Sequence, residues 1–208
     1  MSMFQDLPDE VLLKILSFSE TKDLIGCGQV SKRIRRISHD GTLWATVNLE
    51  KKTVKTELLE MILEKGCRNL NLCHSEILGS LSSNIKSQLS VLNFSQPVCK
   101  CNVDDRCNCD ENAGILEELL SSCCLLQHLV LEDIFLTSKM AVSICKNGKT
   151  LQTLNLKHSY LEDHMDGTLA NKNLQEIIKC CQELKEVDLA YVNRIMRIKG
   201  SQITILNI

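Results

Sequence analysis

Apolar residues recur at helical spacing near the start of the chain. Val11, Leu12, Ile15, Leu16 and Phe18 fall at intervals of three and four residues, so they share one side of a helix. Polar and charged residues occupy the positions between them. The pattern predicts an amphipathic helix in which the apolar side is covered by other parts of the protein.

Two more short helices are predicted before the helical pattern is interrupted. Pro8 suits a first helical turn and Asp9 favours the positive end of the helix dipole. Helical patterns follow over residues 21–30 and 32–38, and Asp40-Gly41 then interrupts the chain. So small a unit carries more apolar side chains than its own core can hide. Either they pack on the rest of the chain, or part of the stripe docks onto another protein.

Beyond residue 44 the spacing changes to Leu-x-x-Leu-x-Leu, in which apolar residues alternate as in a strand. The clear copies are Leu89-Leu92-Phe94, Leu126-Leu129-Leu131, Leu151-Leu154-Leu156 and Leu184-Val187-Leu189, and the weaker ones are Val47-Leu49, Leu70-Leu72 and Ile203-Leu206-Ile208. Helical stretches are predicted at residues 58–65, 115–124, 139–146 and 174–181. A strand followed by a helix, repeated in this way, predicts an α/β leucine-rich-repeat solenoid with a parallel sheet and outer helices.

Three of the five intervals between strand ends fit the roughly 20 to 29 residues of one such repeat. The two longer intervals contain residues 97–110 and 162–170, which we interpret as loop insertions. The last strand pattern, residues 203–208, follows the previous one too closely for a full helix. We therefore expect a short array, whose last apolar strand either ends abruptly or is covered by a partner.

The first segment resembles a known family. Residues 7–17 (Leu-Pro-Asp-Glu-Val-Leu-Leu-Lys-Ile-Leu-Ser), then Asp23-Leu24, Val30-Ser31-Lys32-Arg33 and Leu43-Trp44, resemble the F-box in identity and spacing. The resemblance divides the chain into an F-box module at 1–49 and a repeat region at 50–208. Two departures from the family pattern are Thr21, where proline is frequent, and Ile34, where an aromatic residue is usual.

The resemblance also implies a function. In the family this module binds a Skp-family adaptor, which links it to cullin and RING subunits. By the same comparison, the adaptor-binding residues, at or just behind the contact, would be Leu7, Pro8, Ile15, Leu16, Leu24, Val30 and Trp44. An F-box followed by leucine-rich repeats resembles the class whose repeats hold a substrate for ubiquitination. The protein is then expected to be a non-catalytic substrate receptor of a cullin-RING ligase, or alternatively a non-degradative scaffold that competes for the adaptor.

A substrate surface is predicted on the open side of the sheet. Alternate residues of the repeat cores point away from the helices. These residues are His128, Val130, Glu132, Thr153, Asn155, Lys157, Glu186, Asp188 and Ala190. Their side chains are mostly polar and carry both signs of charge, which identifies no particular ligand.

A cysteine-rich stretch lies in the first insertion. Cys99, Cys101, Cys107 and Cys109 form two Cys-x-Cys pairs with acidic residues between them. Four thiolates could hold a structural zinc ion, although Cys-x-x-Cys is the more frequent spacing in such sites. The alternative is an exposed loop of free thiols. No other cofactor is expected. Cys123-Cys124 and Cys180-Cys181, at predicted helix ends, are interpreted as packing residues.

Composition and motif content argue against several classes of function. The net charge of -2 argues against a nucleic-acid-binding face, and no P-loop or Gly-x-Ser-x-Gly motif indicates an enzyme. No apolar run reaches the roughly 20 residues of a membrane span. Residues 1–10 lack a signal-peptide pattern, so the 12 cysteines are expected to be reduced and the location cytoplasmic or nuclear.

Overall fold

The computed structural model describes the backbone at residues 6–95, 109–161, 168–190, 192 and 204–206. Its helices are α1 (Asp9–Leu16), α2 (Thr21–Cys27), α3 (Lys32–Ser38), a 3-10 helix (Gly41–Trp44), α4 (Thr56–Glu64), α5 (Cys109–Ser122), α6 (Ser138–Cys145) and α7 (Thr168–Cys180). Its strands are β1 (Thr46–Asn48), β2 (Thr53–Lys55), β3 (Asn69–Asn71), β4 (Glu76–Leu78), β5 (Val91–Ser95), β6 (His128–Glu132), β7 (Phe135–Leu136), β8 (Thr153–Asn155), β9 (Tyr160–Leu161), β10 (Glu186–Asp188) and β11 (Thr204–Leu206). The fold is mixed α/β, as predicted.

Seven of these strands form one sheet in the order β1-β3-β5-β6-β8-β10-β11, with every neighbouring pair parallel. The strands that alternate with them pair in two small parallel sheets, β2 with β4 and β7 with β9. Sequential main strands are therefore spatial neighbours. Because parallel neighbours need a crossover between them, the helices lie between successive strands in sequence.

One row of apolar side chains runs across the inner side of the main sheet. Its members occupy matching register positions in six strands, and each is at most 2% exposed. They are Val47, Leu70, Leu92, Leu129, Leu154 and Val187. The alternation of buried and partly exposed residues along each strand places the polar positions on the opposite side of the sheet. The predicted period-two strands are confirmed.

The main strands end in a common turn. In β1, β3, β8 and β10 an Asn or Asp side chain at the strand end accepts a hydrogen bond from the N–H two residues later, as Asn71 does from Cys73 at 3.0 Å and Asp188 from Ala190 at 2.9 Å. A residue with positive φ follows in the turn, at Lys51, His74, Asp133 and His158, with φ between 54° and 56°. The repeated turn gives neighbouring strands the same exit direction.

The helices form the second layer. Helix α6 packs between α5 and α7. A loop at residues 79–90 crosses between α4 and α5, and it is fixed by two carboxylates. Glu118 accepts from the N–H of Leu81 at 2.8 Å, and Glu60 accepts from that of Ser82 at 2.7 Å. Among the described residues, no helix combines the length and apolar character that crossing a bilayer requires.

The structure corrects the bounds of both predicted insertions. Helix α5 begins at Cys109, within the segment interpreted as a loop at 97–110, and α7 begins at Thr168, within 162–170. The rest of both insertions lies outside the described residues.

Candidate functional site

Helix α1 presents two apolar surfaces side by side. Its inner surface is formed by Leu12 and Leu16, which are 1% and 8% exposed. Val11 and Ile15 lie one position earlier in each turn, and they are 42% and 41% exposed. Phe18 continues this outer stripe just beyond the helix and is 78% exposed. The stripe predicted as one amphipathic side is therefore shared between the core and solvent.

Two more exposed apolar residues belong to the same helical module. Ile25 on α2 is 40% exposed, and Val30, just before α3, is 75% exposed. Five of the nine large exposed hydrophobic residues in the described part of the chain thus fall between residues 11 and 30. We call the set Val11, Ile15, Phe18, Ile25 and Val30 the apolar docking surface. Exposed apolar residues concentrated in one short module are a feature of protein interaction sites.

The seven residues expected to bind the adaptor divide into two groups. Ile15, Val30 and Pro8 are exposed and Leu7 is half-buried, whereas Leu16, Leu24 and Trp44 are buried. Leu16, Leu24 and Trp44 are only 8%, 4% and 2% exposed, so they lie behind the surface, which is one of the two positions that the resemblance implies. They form the packing beneath the docking surface. Val11, Phe18 and Ile25 were missed as surface residues, although Val11 and Phe18 lie in the predicted stripe.

Trp44 connects the helical module to the sheet. Its indole N–H donates to the carbonyl of Ser38 at 2.8 Å, at the end of α3. The ammonium of Lys65, just after α4, lies 5.4 Å from the centre of its ring. Burial lowers the pKa of Lys65. The tryptophan is therefore packed between both parts of the chain within one continuous hydrophobic core.

Asp9 links α1 to α3. Its carboxylate accepts from Arg33 at 2.7 Å and also pairs with Arg36. These arginines lie in a segment that could be interpreted from sequence as a solvated basic face, but the structure gives them a structural contact. The hydrogen bond from Arg33, together with the charges of Arg33 and Arg36, holds the pKa of Asp9 below its usual value. One carboxylate thus links α1, which carries Val11 and Ile15, to α3.

Replacing Asp9 with asparagine should lower the melting temperature near neutral pH, since an amide keeps the shape but loses the charge. The pKa of Asp9 is lowered in the folded state, so its contribution is fully present above the ordinary aspartate pKa. That contribution is lost as the pH falls through the lowered value. Melting curves of both proteins from pH 7 to pH 2 should therefore converge at the acidic end, where native Asp9 is also neutral. A difference that persists there would contradict this account.

The predicted substrate residues lie together on the open side of β6, β8 and β10. His128 and Thr153 are neighbours across the sheet, with Nδ1 and Oγ1 2.9 Å apart. The Asn155 amide donates to Glu132 at 2.8 Å. Val130 and Lys157 are half-buried beside them. Hydrogen bonds between neighbouring strands hold these side chains in rows, but this arrangement does not identify a ligand.

Two of these residues also have a structural task. Asn155 and Asp188 accept the turn-closing hydrogen bonds from Lys157 and Ala190, at 2.8 Å and 2.9 Å. Their side-chain oxygens are therefore already used within the protein. Glu186 is the exposed member of the set and has no such role among the described contacts. Sequence periodicity could not separate these two cases, since both kinds of residue face the same side.

The cysteines singled out from the sequence differ in how the structure places them. Cys99, Cys101 and Cys107 lie outside the described residues, and the side chain of Cys109 is not described, so the predicted zinc site is not placed. Within the described residues, no cluster of three or more His, Cys, Asp or Glu side chains could hold a metal ion. Of the predicted packing pairs, Cys123 and Cys181 are buried, and burial raises the pKa of each thiol to about 11.

The other members of these two pairs differ from expectation. Cys124 and Cys180 are exposed, whereas Cys123 and Cys181 are buried, so only one side chain of each pair turns inward. Their assignment as packing residues is therefore wrong. Cys145 faces Cys180, and burial together with that neighbouring thiol raises the pKa of Cys145 to about 12.

Residues 4–50 match the family model described as F-box-like. The match covers α1, α2, α3, the 3-10 helix and β1, and so contains the whole apolar docking surface. F-box domains bind Skp-type adaptors of SCF ubiquitin ligase complexes, and proteins that carry them are generally non-catalytic. The structural and family observations thus coincide on one segment, and the chain carries an F-box-like domain at its amino-terminal end.

Proposed function

We propose that the protein is a substrate receptor of an SCF-type cullin-RING ubiquitin ligase. The observation that carries the proposal is the apolar docking surface, whose five exposed side chains all lie in the F-box-like segment. An apolar helix surface of this kind fits a groove on another protein. The Skp-family adaptor would cover it and connect the chain to the cullin and RING subunits.

The repeat region would supply the substrate contacts. We infer that residues 50–208 form a short leucine-rich-repeat array, supported by the parallel order of the main strands and by the turn that recurs at Lys51, His74, Asp133 and His158. Proteins of this architecture use the open side of the sheet for binding. In this view the chain supplies affinity, and the catalytic step belongs to its partners.

Within F-box proteins of the leucine-rich-repeat class, the chain is similar to the S-phase kinase-associated F-box protein. The similarity rests on Leu7-Pro8-Asp9-Glu10, on Leu43-Trp44 and on the repeat at residues 123–132. This finer relationship is part of the proposal. A cytoplasmic or nuclear location accompanies it, supported by the described cysteines, all eight of which are free thiols.

Charge reversal on the open side of the sheet tests substrate binding apart from adaptor binding. Lys157→Glu and Glu186→Lys together should abolish the ability of the protein to lower substrate levels, since both charges face the open side. The measurement is quantitative proteomics of depleted cells complemented with native or variant protein. Adaptor and cullin pull-down should be unchanged, because the substitutions lie far along the chain from the docking surface.

The same experiment separates the two candidate functions. A degradative receptor predicts a set of proteins that accumulate on depletion and fall again when the native chain is restored. A non-degradative scaffold that competes for the adaptor predicts adaptor binding with no change in partner half-life. If the variant lowers substrate levels as well as the native protein does, the open side of β8 and β10 is not the substrate surface.

A further inference from the structure

Strand β1 forms an edge of the seven-stranded sheet. Its hydrogen bonds to β3 use alternate residues: the carbonyl of Ala45 accepts from Asn69, and the N–H of Leu49 donates to Asn71, both at 2.9 Å. In a parallel ladder the intervening residues direct their main-chain groups to the opposite side. The N–H and C=O groups of Thr46 and Asn48 therefore point away from β3.

These main-chain groups are open in the described part of the chain. Apart from the ladder with β3, which uses the intervening residues, no main-chain hydrogen bond of the described turns, loops and helix ends involves the N–H or C=O of Thr46 or Asn48. The side chain of Asn48 is already engaged, because its oxygen accepts from the N–H of Glu50 at 3.0 Å. The edge thus offers two donors and two acceptors at strand spacing. Exposed edges of this kind are templates for another extended chain.

A groove of about 300 Å³ runs along this edge. One wall is β1, through Thr46 and Asn48, and the other is the turn Ser19–Thr21, which joins α1 to α2. Thr46 and Asn48 also border a second depression of about 250 Å³, which continues over the asparagine side chains of β3 and β5. Both walls of this cleft, the turn between α1 and α2 and the sheet edge β1, therefore lie within residues 4–50, the segment that matches the F-box-like family model.

The charged side chains along the groove would favour some peptide sequences over others. Glu20, Glu50 and Lys52 contribute to its lining, but the carboxylate of Glu50 is already paired with Lys51 at 2.9 Å. That contact also lowers the pKa of Glu50. Glu20 is exposed and forms no ion pair among the described residues. Lys52, which is also exposed, adds a positive charge at the β1 side of the groove. A basic side chain opposite Glu20 would complement it.

We propose that this groove binds an extended segment of the substrate protein, which adds as a further strand beside β1 and places a basic residue near Glu20. The proposal rests on the proposed function and deepens it, because it adds a second substrate contact, at the sheet edge formed by β1, to the contact proposed on β6, β8 and β10. Unpaired main-chain donors and acceptors at strand spacing are complemented best by another extended backbone.

The test uses a matched pair of variants at one position. Asn48→Ala removes the side chain and keeps the main-chain N–H, whereas Asn48→Pro removes both. Proline is tolerated on an edge strand where the N–H faces outward, and Val47 before it is already extended. Linear peptides are selected from a random phage-displayed library on the full chain. We expect them to bind Asn48→Pro at least about tenfold more weakly than Asn48→Ala, as one lost main-chain hydrogen bond implies.

Peptides that bind both variants equally, or a library that yields no binder, would overturn the proposal. If Asn48→Pro fails to fold, the selected peptides are N-methylated at alternate residues and tested on the native chain. One set of peptides is methylated at the odd-numbered residues and the other set at the even-numbered residues. We expect only one of the two sets to lose binding, and equal binding of both sets would overturn strand addition. Glu20→Lys should also weaken binding of the selected peptides.

Adaptor titration keeps the two proposals separable. Both Asn48 variants should bind the adaptor as the native chain does. Weaker adaptor binding by Asn48→Pro would mean that the adaptor occupies the groove, which overturns the substrate assignment. If the native chain binds no adaptor while the peptide results hold, the ligase function fails and strand addition at β1 stands.

Discussion

Replacing Ile15 and Val30 with aspartate is expected to lower adaptor affinity by about 100-fold or more, with the fold intact. Each side chain loses about 1.5 to 3 kcal/mol of burial against a partner, and the aspartates add a desolvation cost in the interface. Both residues are exposed in the free chain, at 41% and 75%, so the free energy of unfolding should change by about 1 kcal/mol or less. Calorimetric titration of purified adaptor, with melting curves of each variant, measures both quantities.

A matched control is available on the helical layer of the repeat region. Val142 on α6 is 58% exposed, yet it lies outside the F-box-like segment. Val142→Asp should therefore leave adaptor affinity unchanged while making the same chemical substitution as Val30→Asp. If the two valine variants lose affinity equally, exposed apolar area in general is responsible, and the docking surface is not specific.

The repeated elements could be predicted because their signal is local. Alternation of apolar residues in Leu126-Leu129-Leu131 and in Leu151-Leu154-Leu156 determines which side of each strand is buried, and the structure confirms it. The helical spacing of residues 139–146 likewise predicted α6. These elements depend on short-range periodicity, and their neighbours in sequence are also their neighbours in space.

The division of the α1 stripe could not be predicted from periodicity. Val11 and Leu12 are adjacent in sequence, and so are Ile15 and Leu16, so each pair shares one apolar side of the helix. Which member turns inward depends on how α1 packs on α3, and this is set by tertiary contacts. The link from Asp9 to Arg33 spans a long stretch of sequence and has no periodic signal. The residues of the apolar docking surface could therefore be identified only from the structure.

The sheet edge is a second feature that sequence alone does not show. Val47-Leu49 is a weak copy of the repeat, and nothing in it tells whether β1 is internal or at an edge. Strand order is a property of the assembled sheet. In the same way, Asn155 and Asp188 share a pattern with true surface residues, although their oxygens close turns. Residue type and spacing predict which side of the sheet a residue faces. Its hydrogen-bond partners determine whether its side chain closes a turn or is available to a ligand.

Trp44→Ala is expected to destabilise the protein by about 3 to 5 kcal/mol, the usual range for removing a fully buried aromatic residue. The side chain is 2% exposed and donates to the carbonyl of Ser38, so its loss leaves a cavity and an unpaired acceptor between the helical module and the sheet. Against a typical total stability of about 5 to 15 kcal/mol, this is a large fraction. Urea unfolding of native and variant protein gives the free-energy difference.

Adaptor binding by the same variant decides the role of Trp44. If Trp44 only supports the docking surface, adaptor affinity should fall as the folded fraction falls and recover at low temperature or with a stabilising osmolyte. Trp44→Phe retains most of the packing and loses the hydrogen bond to Ser38, so it should cost about 1 to 2 kcal/mol and leave the affinity of the folded protein unchanged. A Trp44→Ala protein that is as stable as the native one and still fails to bind would show that the tryptophan contacts the adaptor directly. The burial of its ring between Ser38 and Lys65 favours the supporting role.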